Sequence, residues 1–374
     1  MRYFDYAATT KPTEAVIKAM VESMRAYAGN PSSLHSLGIH AKKRYNQAKK
    51  NIAACINADK DNIVFTASGT EANNLALKGT AERVPKKTIL TTTIEHSATK
   101  NTCAFLKKNG HHVVEIPTDQ EGFVDQKALQ NALKVYDVAL FTLIYANNEI
   151  GTLQDLDAIV KLCRKHGALV HIDAVQAPLH ENMDMKAIDC DFASFSAHKF
   201  FGPRGIGFLY VKDIATLAPI IHGGNQEFDL RAGTENLAAI VGCEAALKEA
   251  SKKVSKREAL IEENAKYFLK RLKEENIDHI LNGPPLFKRR LNNILNIGFY
   301  RQDGEKLVFD LDRRGFALSR GSACSEGSIE NSHVLQAIGV PKDYIDGSLR
   351  FSFSHRERKE DFDKLIETLK ILIR

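Results

Sequence analysis

The feature that most constrains this chain is a series of apolar segments that end in polar residues and are separated by helical patterns. Apolar runs at 87–93, 138–145 and 168–172 predict strands. Apolar residues recur at helical spacing over 97–109, 125–134 and 155–166. Strands that alternate with helices form parallel sheets with crossover connections, so the sequence predicts an α/β fold.

Polar residues follow the predicted strands at the points where the strands end. In open parallel sheets, ligands bind beyond the carboxyl ends of the strands. The residues at or just past these ends are Gly69, Thr70, His96, Asn147, Asp173 and Lys199. Each of them alone is equally typical of a helix cap or a turn. Together they predict one shared pocket.

Lys199 lies where a buried strand runs into a tight turn. The apolar run from Asp191 breaks at Ser196-Ala197-His198-Lys199, and a second strand, 206–211, follows a Gly-Pro-Arg-Gly turn. Burial disfavours the charged form of an amine and makes it a usable nucleophile. Such an amine suits a Schiff base, for which pyridoxal phosphate (PLP) is the common partner. The alternative is a surface lysine at a strand end.

A second candidate feature is the segment that follows the predicted strand 62–66. Ser68 and Glu71 have the spacing of a capping box, ahead of a helix predicted over Ala72–Leu77 that Gly79 would end. The start of a helix exposes free N–H groups at the positive end of its dipole, which is a seat for phosphate. The same pattern is also typical of a capped helix without a ligand.

Cys324 differs from the other cysteines in its surroundings. It is the one cysteine of six that lies in a polar loop rich in glycine and serine, at 319–328. A sulfur nucleophile needs an accessible thiolate, which Arg320 would favour. No Cys-x-x-Cys pair is present, so a zinc ribbon is not indicated. An ordinary loop cysteine is the alternative.

Composition narrows the class of protein. The 374 residues are 44% hydrophobic and 26% charged, which is ordinary for a soluble chain with room for two domains. There is no apolar run of about 18 residues and no signal-peptide pattern at the start, so we expect a cytoplasmic location and no membrane contact. The net charge is +6, but Glu interleaves the basic segment 248–273, which is typical of a solvated helix rather than a nucleic-acid surface.

With these residues in view, the chain resembles the cysteine desulfurases of the NifS/IscS type, PLP enzymes of aminotransferase class V. The motifs that carry the resemblance are YFDYAATT (3–10), GNPSSLH (29–35), FTASGTEANN (65–74), ANNEIGTLQD (146–155), HIDAVQ (171–176), SFSAHKFFGPRGIG (194–207), RAGTEN (231–236), RGSACS (320–325) and SLRFSFS (348–354). They fall in the order and spacing of the family over nearly the whole chain, which makes the resemblance specific.

The resemblance implies an α/β architecture of PLP fold type I, the aspartate aminotransferase-like fold. This fold has a large domain with a mainly parallel seven-stranded sheet between helices, and a smaller α+β domain. We expect residues 12–250 to form the large PLP-binding domain. Residues 1–11 and 251–374 would form the small domain, which carries the Cys324 loop.

The resemblance also implies the cofactor, PLP, and the residues that hold it. The residues expected to bind PLP are Lys199, Gly69, Thr70, His96, Asn147, Asp173, Gln176, Ser196, His198 and, across a homodimer interface, Thr234. Lys199 would hold the cofactor covalently, and Asp173 would pair with the ring nitrogen. Gln176 would bind the ring hydroxyl.

The implied reaction removes sulfur from L-cysteine and leaves L-alanine. The expected catalytic residues are Cys324, Lys199 and His96. His96 would stack on the ring and transfer protons, Asn147 and Arg350 would bind the substrate carboxylate, and Cys324 would carry the sulfur as a persulfide.

The sulfur would then pass to an acceptor protein, such as an iron–sulfur scaffold, or serve tRNA thiolation. A selenocysteine lyase or another class V aminotransferase is the nearest alternative. A protein that keeps the fold but only docks partners is a more distant alternative.

Overall fold

A computed structural model describes residues 1–84, 87–252, 254–321 and 332–373. Its strands are β1 (Arg2–Tyr3), β2 (Ile63–Thr66), β3 (Thr88–Thr92), β4 (Val113–Ile116), β5 (Val138–Ile144), β6 (Leu169–Asp173), β7 (Phe192–Ser196), β8 (Gly207–Val211), β9 (His279–Asn282), β10 (Ile294–Phe299), β11 (Phe316–Ala317) and β12 (Ser348–Ser352). Its α-helices are α1 (Glu14–Ala26), α2 (Ser36–Cys55), α3 (Gly69–Arg83), α4 (Ser97–Lys108), α5 (Gln126–Val135), α6 (Leu156–Lys165), α7 (Met185–Ile188), α8 (Leu237–Ala250), α9 (Val254–Glu274), α10 (Gly304–Arg313), α11 (His333–Ala337), α12 (Lys342–Ile345) and α13 (Lys359–Leu372). None of the helices in these ranges has the length and apolar character of a membrane span.

A seven-stranded sheet runs through the first two thirds of the chain, in the order β2-β8-β7-β6-β5-β3-β4. Five neighbouring strands of this sheet are parallel: β7, β6, β5, β3 and β4. Strand β8 is antiparallel to both of its neighbours, β2 and β7. The predicted α/β class with a mainly parallel sheet between helices is therefore confirmed.

Both faces of this sheet are buried. Leu140 and Phe141 are neighbours on β5 and lie in different hydrophobic cores, because successive side chains of a strand point to opposite faces. Helices α3 and α4 cover the core of Leu140, and α1, α2, α5, α6 and α8 cover the core of Phe141. Burial on both faces explains why these strands are continuous apolar runs.

A second, smaller unit of structure contains the antiparallel sheet β12-β10-β9 and the parallel pair β1-β11. Its core includes Phe4, Phe268, Phe351 and Phe362, all fully buried. The start of the chain thus packs with residues more than 250 positions away. The domain boundaries expected from the sequence stay a prediction.

The sequence prediction was wrong about the extent of α3. The helix begins at Gly69 rather than Ala72, and it continues through Gly79 to Arg83. A Cβ at Gly79 would lie 2.7 Å from the Ala218 carbonyl oxygen, so this glycine permits a close approach of two segments rather than ending the helix. Strands β4 and β9 were not predicted from the sequence.

Candidate active site

A cavity of about 170 Å³ lies at the carboxyl ends of the parallel strands. Nine residues that the sequence predicted as functional line this cavity: Gly69, Thr70, His96, Asp173, Gln176, Ser196, His198, Lys199 and Arg350. They come from segments that are up to 281 positions apart, counted from Gly69 to Arg350. The fold therefore brings most of the predicted site together.

Lys199 ends a single 3₁₀ turn, Ala197–Lys199, directly after β7. Its side-chain nitrogen Nζ donates hydrogen bonds to the carbonyl oxygens of Ala7 and Ala8, the latter at 3.0 Å. The segment before α1 thus forms the wall of the cavity next to the amine. These contacts hold the amine at the cavity, where it can react with a bound aldehyde.

His198 lies beside Lys199 and is uncharged at neutral pH. Burial, together with the positive charges of Lys199 and Arg204, lowers the pKa of His198 to about 4. Its ring Nδ1 lies 3.1 Å from the Thr9 hydroxyl oxygen. A neutral imidazole keeps one N–H, with which it can bind an anion without adding charge.

The start of α3 forms a cradle at one end of the cavity. The Ser68 side chain caps the helix by accepting a hydrogen bond from the Glu71 N–H at 3.2 Å. A Cβ at Gly69 would lie 2.6 Å from Val175 Cγ2, so a larger residue here would require the Val175 side chain to shift. The free N–H groups of Gly69 and Thr70 at the positive helix end suit a phosphate.

Asp173 ends β6 and is 4% exposed. Its Oδ1 accepts the Val175 N–H at 3.1 Å, and its Oδ2 accepts a hydrogen bond from Asn73 Nδ2 at 2.7 Å. The neighbouring Gln176 donates from Nε2 to the Ala7 carbonyl oxygen at 2.8 Å. The carboxylate is therefore fixed at the cavity, as a partner for a cation.

His96 is the N-cap of α4, and this half-buried residue lines the cavity. Its Nδ1 accepts the Ala98 N–H at 3.1 Å, so a neutral ring carries its proton on Nε2. The preceding residue, Glu95, is fully buried and accepts hydrogen bonds from Thr92 Oγ1 at 2.5 Å and the Ile144 N–H at 2.8 Å. Burial raises the pKa of Glu95 to about 8.

Arg350, on β12, is 1% exposed and lines the cavity from the side of the smaller unit. Its Nη2 donates to Asp5 Oδ1 at 2.8 Å, and its Nη1 donates to the Asn148 carbonyl oxygen at 3.0 Å. These contacts fix the plane of the guanidinium, a group that can bind a carboxylate through two hydrogen bonds.

Two of the expected site residues do not line the cavity, and a third lies outside the described residues. Asn147 is fully buried, and its side chain is engaged locally, because Oδ1 accepts the N–H groups of Glu149 and Ile150. The adjacent Asn148 lines the cavity instead. Thr234 is exposed and does not line the cavity, and Cys324 lies outside the described residues. The roles expected for these three residues stay predictions.

Sequence reasoning missed Asn73, Asn148 and the carbonyl groups of Ala7 and Ala8. One signal could have found Asn73, because it lies three residues after Thr70 and hence on the same face of a helix. The contacts of Ala7 and Ala8 with Lys199 span about 190 positions and leave no local pattern.

Comparison with known proteins places this geometry in a family. The family model for aminotransferase class-V matches residues 2–365. The cysteine desulfurase IscS of Dictyoglomus turgidum is 39% identical over 99% of this chain and 94% of its own length. The IscS of Clostridium botulinum strain Hall is 41% identical over 100% of this chain and 94% of its own length.

Solved structures agree with the sequence relatives. A NifS-like protein superposes with a TM-score of 0.92 at 32% identity, covering 100% of this chain and 99% of the other. The structure of SspA in complex with cysteine has a TM-score of 0.82 at 31% identity, covering 96% and 100%. The chain belongs to the aminotransferase class-V family, as one of its cysteine desulfurases of the NifS/IscS type.

The family resemblance seen in the sequence is thereby confirmed. Enzymes of this family depend on PLP. The cavity fits that cofactor in three respects: a cradle at Gly69 that a side chain would fill, a buried carboxylate at Asp173, and an amine at Lys199.

Proposed function

We propose that this chain is a PLP-dependent cysteine desulfurase that converts L-cysteine to L-alanine and collects the sulfur on Cys324. One observation carries the proposal: the Lys199 amine, the Asp173 carboxylate and the start of α3 surround a single cavity. PLP is a phosphorylated pyridine aldehyde, so its site needs an amine for the aldehyde, a carboxylate for the ring nitrogen and a binding site for the phosphate.

The residues of the cavity would divide the binding of the cofactor among them. The phosphate would be held at the start of α3 and by the side chains of Ser196 and His198. Lys199 would bind the aldehyde covalently, Asp173 would pair with the ring nitrogen, and Gln176 would meet the ring hydroxyl. When bound, PLP supplies an electron sink that stabilises negative charge on the substrate α-carbon.

The chain's own groups would bind and orient the substrate. Arg350 would receive the carboxylate of L-cysteine, since its guanidinium is already fixed by Asp5 and the Asn148 carbonyl. His96 would move protons through Nε2, because its Nδ1 is occupied by the Ala98 N–H.

Sulfur transfer would take place at Cys324. Its thiolate attacks the sulfur of the bound substrate, an S–S bond forms and the substrate C–S bond breaks. The electron pair of the C–S bond stays with the carbon fragment, which takes up a proton and leaves as L-alanine. Cys324 is left as a persulfide.

The ends of the segment that carries Cys324 support this role. The Ser319 carbonyl accepts the N–H of Arg350 at 2.7 Å, and the Ser332 hydroxyl donates to Glu149 Oε2 at 2.5 Å. Both ends thus lie beside residues at or next to the cavity. Cys324 lies three positions after Gly321, and an extended chain spans roughly 10 Å over three residues.

We further propose a homodimer in which Thr234 contacts the phosphate bound by the partner subunit. The exposure of Thr234 supports this arrangement, as do exposed apolar side chains on and near the first two helices. These side chains are Ile17, Val21, Met24, Leu34 and Leu37. The persulfide sulfur would pass to an acceptor protein, such as an iron–sulfur scaffold, in the cytoplasm.

The test is to incubate the PLP-loaded protein with L-cysteine, measure alanine, and map the Cys324 peptide by mass spectrometry. We expect stoichiometric alanine and one added sulfur on Cys324. Cys324→Ser should retain the bound cofactor and release little sulfide. Cys55→Ser, which removes a half-buried cysteine, is the matched control and should behave like the wild type.

Two outcomes would contradict the proposal. Alanine formation at the normal rate in Cys324→Ser would remove Cys324 from the reaction. Selenocysteine turnover that persists in the same variant, while cysteine turnover is lost, would favour a selenocysteine lyase.

A further inference from the structure

Asn73 is a buried residue that the reaction described above does not use. It lies on α3, one helical turn after Thr70, and is 1% exposed. Its Nδ2 donates hydrogen bonds to Asp173 Oδ2 at 2.7 Å and to Thr99 Oγ1 at 3.3 Å. An amide nitrogen carries two hydrogens, so both are used. Asn73 thereby connects the ends of β6 and α3 with α4.

Within the described residues, the Asp173 carboxylate accepts hydrogen bonds from two neutral groups. The Val175 N–H binds Oδ1, and the Asn73 amide binds Oδ2. Neutral donors hold a carboxylate in one orientation without cancelling its charge. A buried carboxylate held in this way strongly favours a cationic partner, because burial of its charge is otherwise costly.

Helix α3 carries both the cradle for phosphate and the side chain that orients Asp173. Thr70 and Asn73 are three positions apart and so lie on the same face, with a rise of about 1.5 Å per residue. A single rigid element therefore sets the distance from the cradle to the carboxylate. If a bound molecule places its phosphate in the cradle, α3 therefore also sets the position of the Asp173 carboxylate relative to the ring nitrogen of that molecule.

We propose that Asn73 is a positioning residue, which holds the Asp173 carboxylate so that it stabilises the protonated ring nitrogen of PLP. The inference rests on the proposed function, because it concerns the same cofactor. Since Asn73 acts through Asp173, its contribution requires the ring nitrogen. A side chain that served only the packing of α3 would have no such requirement.

The test compares two probes that differ only at this atom. Binding of PLP and of its 1-deaza analogue, in which carbon replaces the ring nitrogen, is measured by fluorescence titration of the apoprotein. In Asn73→Ala we expect PLP affinity to fall by roughly tenfold or more, the loss typical of a hydrogen bond to a charged group. Affinity for the analogue should change by less than about twofold.

Two more variants make the comparison decisive. Asn73→Asp keeps the volume but removes the amide donor, so Asp173 loses the hydrogen bond that orients it and the preference for PLP should fall as well. Asn74→Ala is the matched control, because the half-buried Asn74 donates to the Thr70 carbonyl at 2.9 Å and does not contact Asp173. Its ratio of affinities should equal that of the wild type. Circular dichroism establishes that each variant is folded.

The outcomes separate this inference from the proposed function. Equal losses for both probes in Asn73→Ala and Asn73→Asp, or no loss for either probe, would overturn the inference alone. A wild-type apoprotein that binds neither probe would overturn the proposed function as well.

Discussion

Lys49 is buried and Lys199 is half-buried, and the surroundings of their amines differ. Lys49, on α2, is 5% exposed, and its Nζ donates to Glu227 Oε2 and to the Tyr45 hydroxyl oxygen, each at 3.1 Å. Lys199 follows β7 and donates to the main-chain carbonyls of Ala7 and Ala8. Lys49 therefore donates to a carboxylate, and Lys199 donates to main-chain carbonyl oxygens.

The surroundings of Lys49 also hold a strained segment in place. Glu227, Phe228 and Asp229 all have positive φ, at 46°, 60° and 64°, a conformation that is costly for residues other than glycine. The Glu227 carboxylate is 6% exposed and also accepts the Phe65 N–H at 2.9 Å. Burial lowers the pKa of Lys49, and the charge of Glu227 opposes that effect. Because Lys49 is the more deeply buried of the two, burial alone cannot identify the lysine that we propose to bind PLP.

The largest effect is expected for Lys199→Ala. The variant should lose covalently bound PLP and all turnover, because no amine remains at the cavity to bind the aldehyde. Without cofactor, the free energy of unfolding should stay within about 1 kcal/mol of that of the wild-type apoprotein, since the substitution removes hydrogen bonds from a half-buried side chain. Absorbance after gel filtration and alanine formation are the measurements. Normal activity would show that the site is elsewhere.

Lys49→Met should give the opposite result. Removing the cation leaves the Glu227 charge buried and unpaired, so the free energy of unfolding should fall by about 3–5 kcal/mol. The folded fraction should still bind PLP covalently. Urea denaturation and absorbance per folded molecule are the measurements. Loss of the covalent cofactor at unchanged stability would break the comparison, and Lys49→Met combined with Glu227→Gln should recover part of the lost stability.

Arg350→Lys tests whether the substrate enters beside Lys199. A lysine cannot bind a carboxylate through two parallel hydrogen bonds, so KM for L-cysteine should rise by roughly tenfold, with a smaller change in kcat. Steady-state kinetics of alanine formation measures both constants. An unchanged KM would remove Arg350 from substrate binding.

Glu95→Gln extends the comparison to two buried carboxyl groups, those of Glu95 and Glu227. Glu227 has a lysine partner, but Glu95 accepts its hydrogen bonds from Thr92 and the Ile144 N–H, and burial raises its pKa to about 8. Folded protein then keeps a proton that unfolded protein releases above the ordinary value of 4.5. The free energy of unfolding should thus fall as pH rises from about 5 to 8, by up to about 1.4 kcal/mol per pH unit.

Glu95→Gln should flatten this dependence, because an amide does not titrate in that range. Urea denaturation at pH 5, 6, 7 and 8 measures the slope. A slope in Glu95→Gln equal to that of the wild type would show that Glu95 does not carry the effect.

The sequence predicted the location of the pocket because that location follows from topology. Parallel strands end at one edge of the sheet, so the sequence predicted that Asp173 and Lys199 lie close together although no contact between them was known. The residues that orient them could not be predicted, since Asn73 and Asp173 are 100 positions apart. Lys49 was equally hidden, because its helix has an ordinary polar–apolar pattern and its partner lies 178 positions away.

The errors in predicting the end of α3 and the strands β4 and β9 arise from the local sequence pattern. Gly79 looked like a helix end because glycine ends many helices, but here it permits contact with the Ala218 carbonyl. Strands β4 and β9 were missed because each lies at the edge of its sheet and is only partly buried, so its apolar pattern is weak.

The central claim is that Lys199, and not the more deeply buried Lys49, is the reactive amine. Reduction of the PLP-loaded protein with borohydride would make the link to the cofactor permanent, and peptide mass spectrometry would locate it. We predict a phosphopyridoxyl group on the peptide of Lys199 and none on that of Lys49. A label on Lys49 or another lysine, or no label at all, would contradict the account.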